Sequence, residues 1–293
     1  MTGTSGHEGS LVAGTRWSVH EAVGHGATSV VCRASGPDGS GVAIKFASDP
    51  RFHNRLRREA SLLAFLDHPN ILRFHELVEF DHGPGMVVGL CPGGSLADAL
   101  AGDRRLSASA VARLGHTAAA ALAHLHSEGV VHHDISPANV LLDADGSPVL
   151  CDLGSASAPW VTPPLTVEGT RRFAAPEVRA GDAGTAPADV FSLAAVCLAA
   201  LADDDAGSPE LRSILESGTD PDPAARPSAA GMCRALSQVV AAERDSTVEF
   251  GPRPRTAPPP ELSSSHDDRV PLLGGVALAI VVVIVALYLL MAA

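Results

Sequence analysis

Lysine is nearly missing from this chain. Of its 21 basic residues only Lys45 is a lysine, set in Val42-Ala43-Ile44-Lys45, and all the others are arginine. Whatever removed lysine elsewhere stopped at one position, which points to a need for a compact ammonium where a broad planar guanidinium would not serve. The plainer accounts are accident, or a strand lysine whose stem covers core surface. Basic residues are also outnumbered, 21 against 33 acidic, and the net charge of −12 argues against a nucleic-acid partner, which needs a basic face. Five cysteines form no CxxC pair and no zinc spacing, so reduced thiols packing as small apolar residues are expected. Of the 13 histidines, His124 and His126 lie two apart on an expected helix and point to different faces, a poor arrangement for a metal. Residues 1–10 hold neither a basic cluster nor an apolar run. No secretory signal peptide is therefore expected there, only a disordered start.

What is present divides the chain by composition. Residues 11–240 alternate strand-like and helix-like patterns and form the expected globular domain. Residues 241–270 turn to proline, serine and charge, with Pro258-Pro259-Pro260 and Ser263-Ser264-Ser265, and predict a disordered linker. Residues 272–293 carry no charge. As a helix those 22 residues would rise about 33 Å against a hydrocarbon core of roughly 30 Å. A single transmembrane helix over 271–293 follows. A core helix beyond a Pro-rich linker and a lipid-anchor signal without an export signal both fit less well. Arg253, Arg255 and Arg269 precede the span and no charge follows it, so the rule that basic flanks stay inside places the bulk of the chain on the cytoplasmic face of the cell membrane.

Within the globular part, Gly24-His25-Gly26 followed by the β-branched run Ser29-Val30-Val31 predicts a glycine-rich turn feeding a strand. Such glycines let backbone N–H groups approach phosphate oxygens. Gly36-Pro37-Asp38-Gly39 marks a second turn, and a strand over Val42 to Phe46 carries Lys45. A helix from about Asn54 to Asp67 places Leu56, Leu63 and Leu66 inward, with Glu59 among Arg55, Arg57 and Arg58. Read alone, Glu59 is a surface charge pairing with those arginines. The next helix begins at a Ser107 N-cap, carries Val111, Leu114, Ala118, Leu122 and Leu125 as its apolar stripe, and stops at Gly129. Two short apolar strands follow, with Asp134 and Asn139 before the first and Asp152 after the second. These three offer hard oxygen ligands suited to Mg²⁺ and one carboxylate left to orient a hydroxyl.

From Trp17 to Leu236 the chain resembles the eukaryotic-like serine/threonine protein kinases of bacteria. Val131-His132-His133-Asp134 with Asn139 five residues on matches HRDxxxxN, and Asp152-Leu153-Gly154, 18 residues beyond Asp134, matches DFG. Gly169-Thr170-Arg171-Arg172-Phe173-Ala174-Ala175-Pro176-Glu177 resembles GTxxYxAPE, and Asp189-Val190-Phe191 and Arg226-Pro227-Ser228 follow in order. The resemblance implies an α+β, two-lobed fold with a β-rich N-lobe to about residue 90 and a helical C-lobe from 91 to 240. It implies phosphorylation of Ser/Thr hydroxyls on proteins, autophosphorylation included, using ATP with Mg²⁺ or Mn²⁺. Lys45 would hold phosphates and Glu59 would pair with it. Asn139 and Asp152 would bind metal, Asp134 would take the substrate hydroxyl's proton, and Thr170 would sit near Asp134. Gly24, Gly26, Val31, Ala43, Gly89 and Cys91 would line the nucleotide site. Glu177 with Arg226 would form a buried structural pair. Phosphopeptide-binding partners of the linker and homodimerisation also enter as expectations.

Some positions depart from that pattern. Ser136 stands for the lysine two residues after the catalytic Asp, a donor whose loss costs on the order of 10² to 10³ in rate. His133 stands for the HRD arginine, which predicts weak dependence on phosphorylation at Thr162 or Thr166. Ser29 replaces the third loop glycine, Phe173 replaces tyrosine, and the separation of 37 positions between Asp189 and Arg226 is short for the family. An active kinase, a membrane-anchored pseudokinase scaffold and a small-molecule kinase of the same fold all remain open.

Overall fold

The computed structural model describes residues 10–11, 16–80, 83–102, 104–160, 172–202 and 209–245, all within one compact unit. The uncharged segment 272–293 lies outside them. Among the described residues no helix is long and apolar enough to cross a membrane.

The N-terminal lobe is an antiparallel sheet of β1 (Ser10–Leu11), β2 (Ser18–His25), β3 (Ser29–Ser35), β4 (Gly41–Ala47), β5 (Phe74–Phe80) and β6 (Gly83–Gly89), in the order β1-β2-β3-β4-β6-β5. The turn between β3 and β4 closes through Gly39, at φ +78°, whose N–H donates to the Gly36 carbonyl at 3.0 Å. Glycine adopts that left-handed backbone without a Cβ penalty. Strand alternation then sorts the side chains. Val31 opposes Lys45, Ala43 opposes Val88, and Lys45 opposes Met86, so these five share one face. That face belongs to the main core, whereas Val42, Ile44 and Val87 point the other way and pack with Trp17 and Ala34.

Helix α1 (His53–Phe65) covers the Lys45 face with Leu56, Glu59, Ala60, Leu62 and Leu63 inward. It ends two residues earlier than the periodicity predicts. Leu66 is already extended and closes the last turn by donating its N–H to the Leu63 carbonyl.

The C-terminal lobe is helical. Short α2 (Leu96–Ala99) is held by a reciprocal Ser95 and Asp98 capping box, and α3 (Ala108–Ser127) is capped by Ser107 Oγ, which accepts from the Ala110 N–H at 3.3 Å. After it come the hairpin β7 (Val140–Leu142) and β8 (Pro148–Leu150), then α4 (Pro176–Ala180), α5 (Ala186–Ala200), α6 (Pro209–Gly218) and α7 (Ala229–Asp245). α5 buries residues around most of its circumference, the signature of a central core helix. At Gly115 of α3 a Cβ would stand 3.1 Å from Leu236 Cδ1 and 3.2 Å from Cys197 Sγ, so glycine is what lets α3 close on α5 and α7.

Two buried ionic groups fix this lobe. The Arg226 guanidinium, fully enclosed, donates in parallel to Glu177 Oε1 at 2.7 Å and Oε2 at 2.8 Å, and reaches the Asp220 and Pro187 carbonyls. Its face lies 5.0 Å from the Phe191 ring. Asp189 on α5 accepts from the backbone N–H groups of His132 (2.8 Å) and His133 (2.9 Å) and from His126 Nε2 (3.0 Å). Burial alone would raise its carboxyl, but the His126 hydrogen bond and His132 outweigh burial and hold it below its usual 3.8. The Arg226 hydrogen bond likewise lowers Glu177.

Arg226→Ala should cost about 3 kcal/mol or more in urea unfolding, because it strands the Glu177 carboxylate. Carboxyls depressed in the folded state contribute fully above their unfolded values and lose that contribution as pH falls through the folded ones. The urea midpoint should therefore be flat from about pH 7 to 5 and fall below about pH 4. Asp189→Asn should lower the midpoint near neutrality and make that acid decline shallower.

Candidate active site

Lys45 enters the interior from β4 and is shared by two carboxylates. Its Nζ lies 2.9 and 2.8 Å from the Glu59 oxygens and 3.0 Å from Asp152 Oδ1. The side chains are 14%, 3% and 33% exposed, respectively, so the pair with Glu59 is screened little by water. Burial would depress the ammonium, yet Glu59 and Asp152 override it and drive its pKa up. Lys45 thus stays charged across the ordinary pH range. Burial pushes the Glu59 carboxyl up while Lys45 opposes it. Asp152 is held below its usual value, since Lys45 outweighs burial. The arginines next to Glu59 are engaged elsewhere, which corrects the surface-charge reading. Arg57 binds Glu79, while Arg55 donates to Ser155 Oγ and Arg58 to the carbonyls of Gly154 and Ala156. Those two arginines tie α1 to the turn that follows Asp152.

Asp134 and Asn139 lie on the loop between α3 and β7. Asn139 Nδ2 donates to the Asp134 backbone oxygen at 2.8 Å and to its Oδ2 at 2.9 Å, which fixes the carboxylate's orientation and leaves the amide oxygen pointing elsewhere. The Cys151 N–H donates to the Asn139 carbonyl at 3.1 Å, so the Asp134 loop and the Asp152 loop are joined directly. Among the described residues only His133 (φ +68°) and Asp152 (φ +62°) are non-glycine residues in the left-handed region. Such backbone is strained and persists where its surroundings over-determine it. His133 is held by Asp189 and by Ser157 Oγ, 2.7 Å from its Nε2, and His132 Nε2 by the Cys151 carbonyl at 3.0 Å.

The remaining expected residues fall around these. Val31 and Ala43 lie on the Lys45 face of the sheet. Gly24 pairs with Val31 one residue before the end of β2, and Gly26 closes the following turn by donating to the Ser29 carbonyl at 2.8 Å. Gly89 donates to the Arg73 carbonyl at 2.8 Å. Cys91 begins the link between the lobes, and burial pushes its thiol up to about 11. That link is latched to β7, because Gly93 donates to the Leu142 carbonyl and Leu142 returns a bond to the Gly94 carbonyl. Thr170, Thr162 and Thr166 lie outside the described residues. Sequence reasoning missed the roles of Asp189, Ser157, Arg55 and Arg58. Asp189 had a motif to mark it but no local partner, since its partners are 56 to 63 residues away.

The residues fit a nucleotide with a divalent cation. One ammonium against two carboxylates leaves the Lys45 centre with a local charge of −1, before Asp134 is counted. The oxygen donors of Asp152 and Asn139 are of the hard kind that Mg²⁺ prefers. An apolar sheet face bearing Val31 and Ala43 lies beside them.

Comparison with known proteins agrees with this arrangement. A family model described as protein kinase domain matches residues 17–207. Serine/threonine-protein kinase PkaB of Streptomyces coelicolor is 34% identical over 205 residues, covering 64% of this chain and 49% of that protein. PknJ of Mycobacterium tuberculosis is 35% identical over 198 residues, covering 63% and 33%, and PknB of Mycobacterium leprae is 32% identical over 168, covering 53% and 25%. The chain thus spans half or less of the length of these relatives. With its β-sheet N-lobe, its helical C-lobe and a domain match across residues 17–207, the chain belongs to the protein kinase domain family.

Proposed function

We propose that this chain transfers the γ-phosphoryl group of ATP to Ser or Thr hydroxyls on proteins, its own included. The observation that carries this reading is the charged Lys45, Glu59 and Asp152 centre, with its N···O distances of 2.8 to 3.0 Å, joined through Cys151 and Asn139 to the Asp134 carboxylate. Mg²⁺ held by Asp152 and Asn139 would neutralise phosphate charge. Lys45 binds phosphate oxygens from a position fixed by Glu59. Asp134, aligned by Asn139, accepts the proton of the attacking hydroxyl. Thr170 is assigned beside Asp134 by its place in the GTxxF segment. The names of the relatives, all Ser/Thr-protein kinases, support the choice of acceptor.

One observation favours a second reading, a nucleotide-binding scaffold. The lysine expected two residues after Asp134 is Ser136. The first reading is preferred because the other charged groups of the site are present and paired. We place the domain at the cytoplasmic face of a membrane on the strength of the uncharged segment 272–293 and its upstream arginines.

The full chain in mild detergent, given ATP and Mg²⁺ or Mn²⁺, should phosphorylate itself and a generic substrate at Ser and Thr, mapped by mass spectrometry. Asp134→Asn should lower that rate at least about 10²-fold. Nucleotide binding with no transfer would sink the first reading. Lys45→Arg should abolish transfer, because a planar guanidinium does not fit the confined position between the two carboxylates. Ser136→Lys should raise kcat by about tenfold or more, because it restores a cationic donor near the transferred group.

A further inference from the structure

A cleft of about 430 Å³ opens beside the catalytic loop. Its wall is built from Ala97 and Leu100 at α2, Arg105 before α3, Ser136 with Pro137 on the loop after Asp134, and Arg172 with Phe173 before α4. Two features set it apart. Among the described residues its two charged lining groups are both arginines and no carboxylate lines it, although the chain carries a net charge of −12. Ser136 also lines it at 1% exposure, and its hydroxyl oxygen has no hydrogen-bond partner among the described residues. A buried hydroxyl left unpaired is costly, so such a group marks a place where a ligand atom completes the bonding.

The arginines are positioned to receive that ligand. Arg105 is exposed, with Nη1 bonded to the neighbouring Arg104 carbonyl. Arg172 is exposed and its guanidinium sits 5.5 Å from the Phe173 ring, which orders it while its donor edge stays accessible. Two guanidinium groups and a hydroxyl donor lining one cleft are the chemistry that binds a carboxylate or a phosphate.

We infer that this cleft is a substrate-selecting subsite which holds an anionic side chain of the acceptor protein, with Arg105 and Arg172 binding its charge and the Ser136 hydroxyl donating to it. Ser136 is two residues from Asp134, a span of at most about 7 Å. The anionic residue therefore lies within about three positions of the phosphorylated Ser or Thr, since an extended peptide advances about 3.3 Å per residue. The inference rests on the phosphotransfer reading for the word substrate. The anion site itself does not depend on transfer.

The test uses the full chain and alanine-rich peptides with one threonine, carrying glutamate, phosphoserine or alanine at each of the three positions on either side. At low salt kcat/KM should be at least about tenfold higher for the best anionic peptide than for the alanine peptide. That ratio should fall close to one in the Arg105→Ala, Arg172→Ala double variant and shrink at about 0.5 M salt. Glutamate against phosphoserine distinguishes a carboxylate site from a phosphate site. A second arm measures peptide binding to Asp134→Asn by fluorescence anisotropy, which needs no chemistry. Equal kcat/KM for charged and neutral peptides, or a preference that the double variant keeps, overturns the inference. If no peptide is phosphorylated but anionic peptides bind in an arginine-dependent way, the cleft assignment holds and the phosphotransfer reading fails.

Discussion

One ammonium shared by two carboxylates holds the functional centre together. Lys45 comes from β4, Glu59 from α1 and Asp152 from the turn after β8, so a single nitrogen fixes a strand, a helix and a C-lobe loop relative to one another. In a site this enclosed an unpaired charge would be expensive, and the geometry that satisfies all three is narrow. The rest of the centre extends from it. Asp152 directly follows Cys151, the Cys151 N–H bonds to the Asn139 carbonyl, and Asn139 orients Asp134.

Around that core, arginines supply several of the long-range clamps among the described residues. Arg55 and Arg58 bind the turn after Asp152, and Arg226 binds Glu177 in parallel across the helical lobe. A planar fork suits carbonyl pairs and carboxylates, while a point charge suits a confined position between carboxylates and phosphates. The rarity of lysine thus separates two jobs that most sequences blur. Ser136 belongs to the same division. Where a second ammonium is expected, the chain has a small buried hydroxyl beside a cleft lined by arginines.

Legibility in the sequence followed the range of the interaction. The Ser107 cap, the stripe through Leu122 and the Gly129 stop were readable because each depends on neighbours within a turn. The turn at Gly39 and the strand carrying Lys45 were readable for the same reason. Glu59 was misjudged on local grounds, since three arginines beside it suggested surface pairing and the true partner comes from another element 14 residues away. Asp189 is the stronger case. A motif marked its position, yet no neighbour in sequence shows that it fixes two backbone N–H groups of the catalytic loop.

By itself the sequence determined the identity and spacing of the charged groups, the alternation of strand-like and helix-like segments, and the uncharged segment 272–293. Those are properties of covalent order and local periodicity. Only the tertiary structure decided that Lys45 also binds Asp152, where the arginines beside Glu59 go, and that Ser136, Arg105 and Arg172 line one cleft. The reason is physical. Pairing of buried charge depends on which side chains lose water together, and that is set by packing between elements distant in sequence.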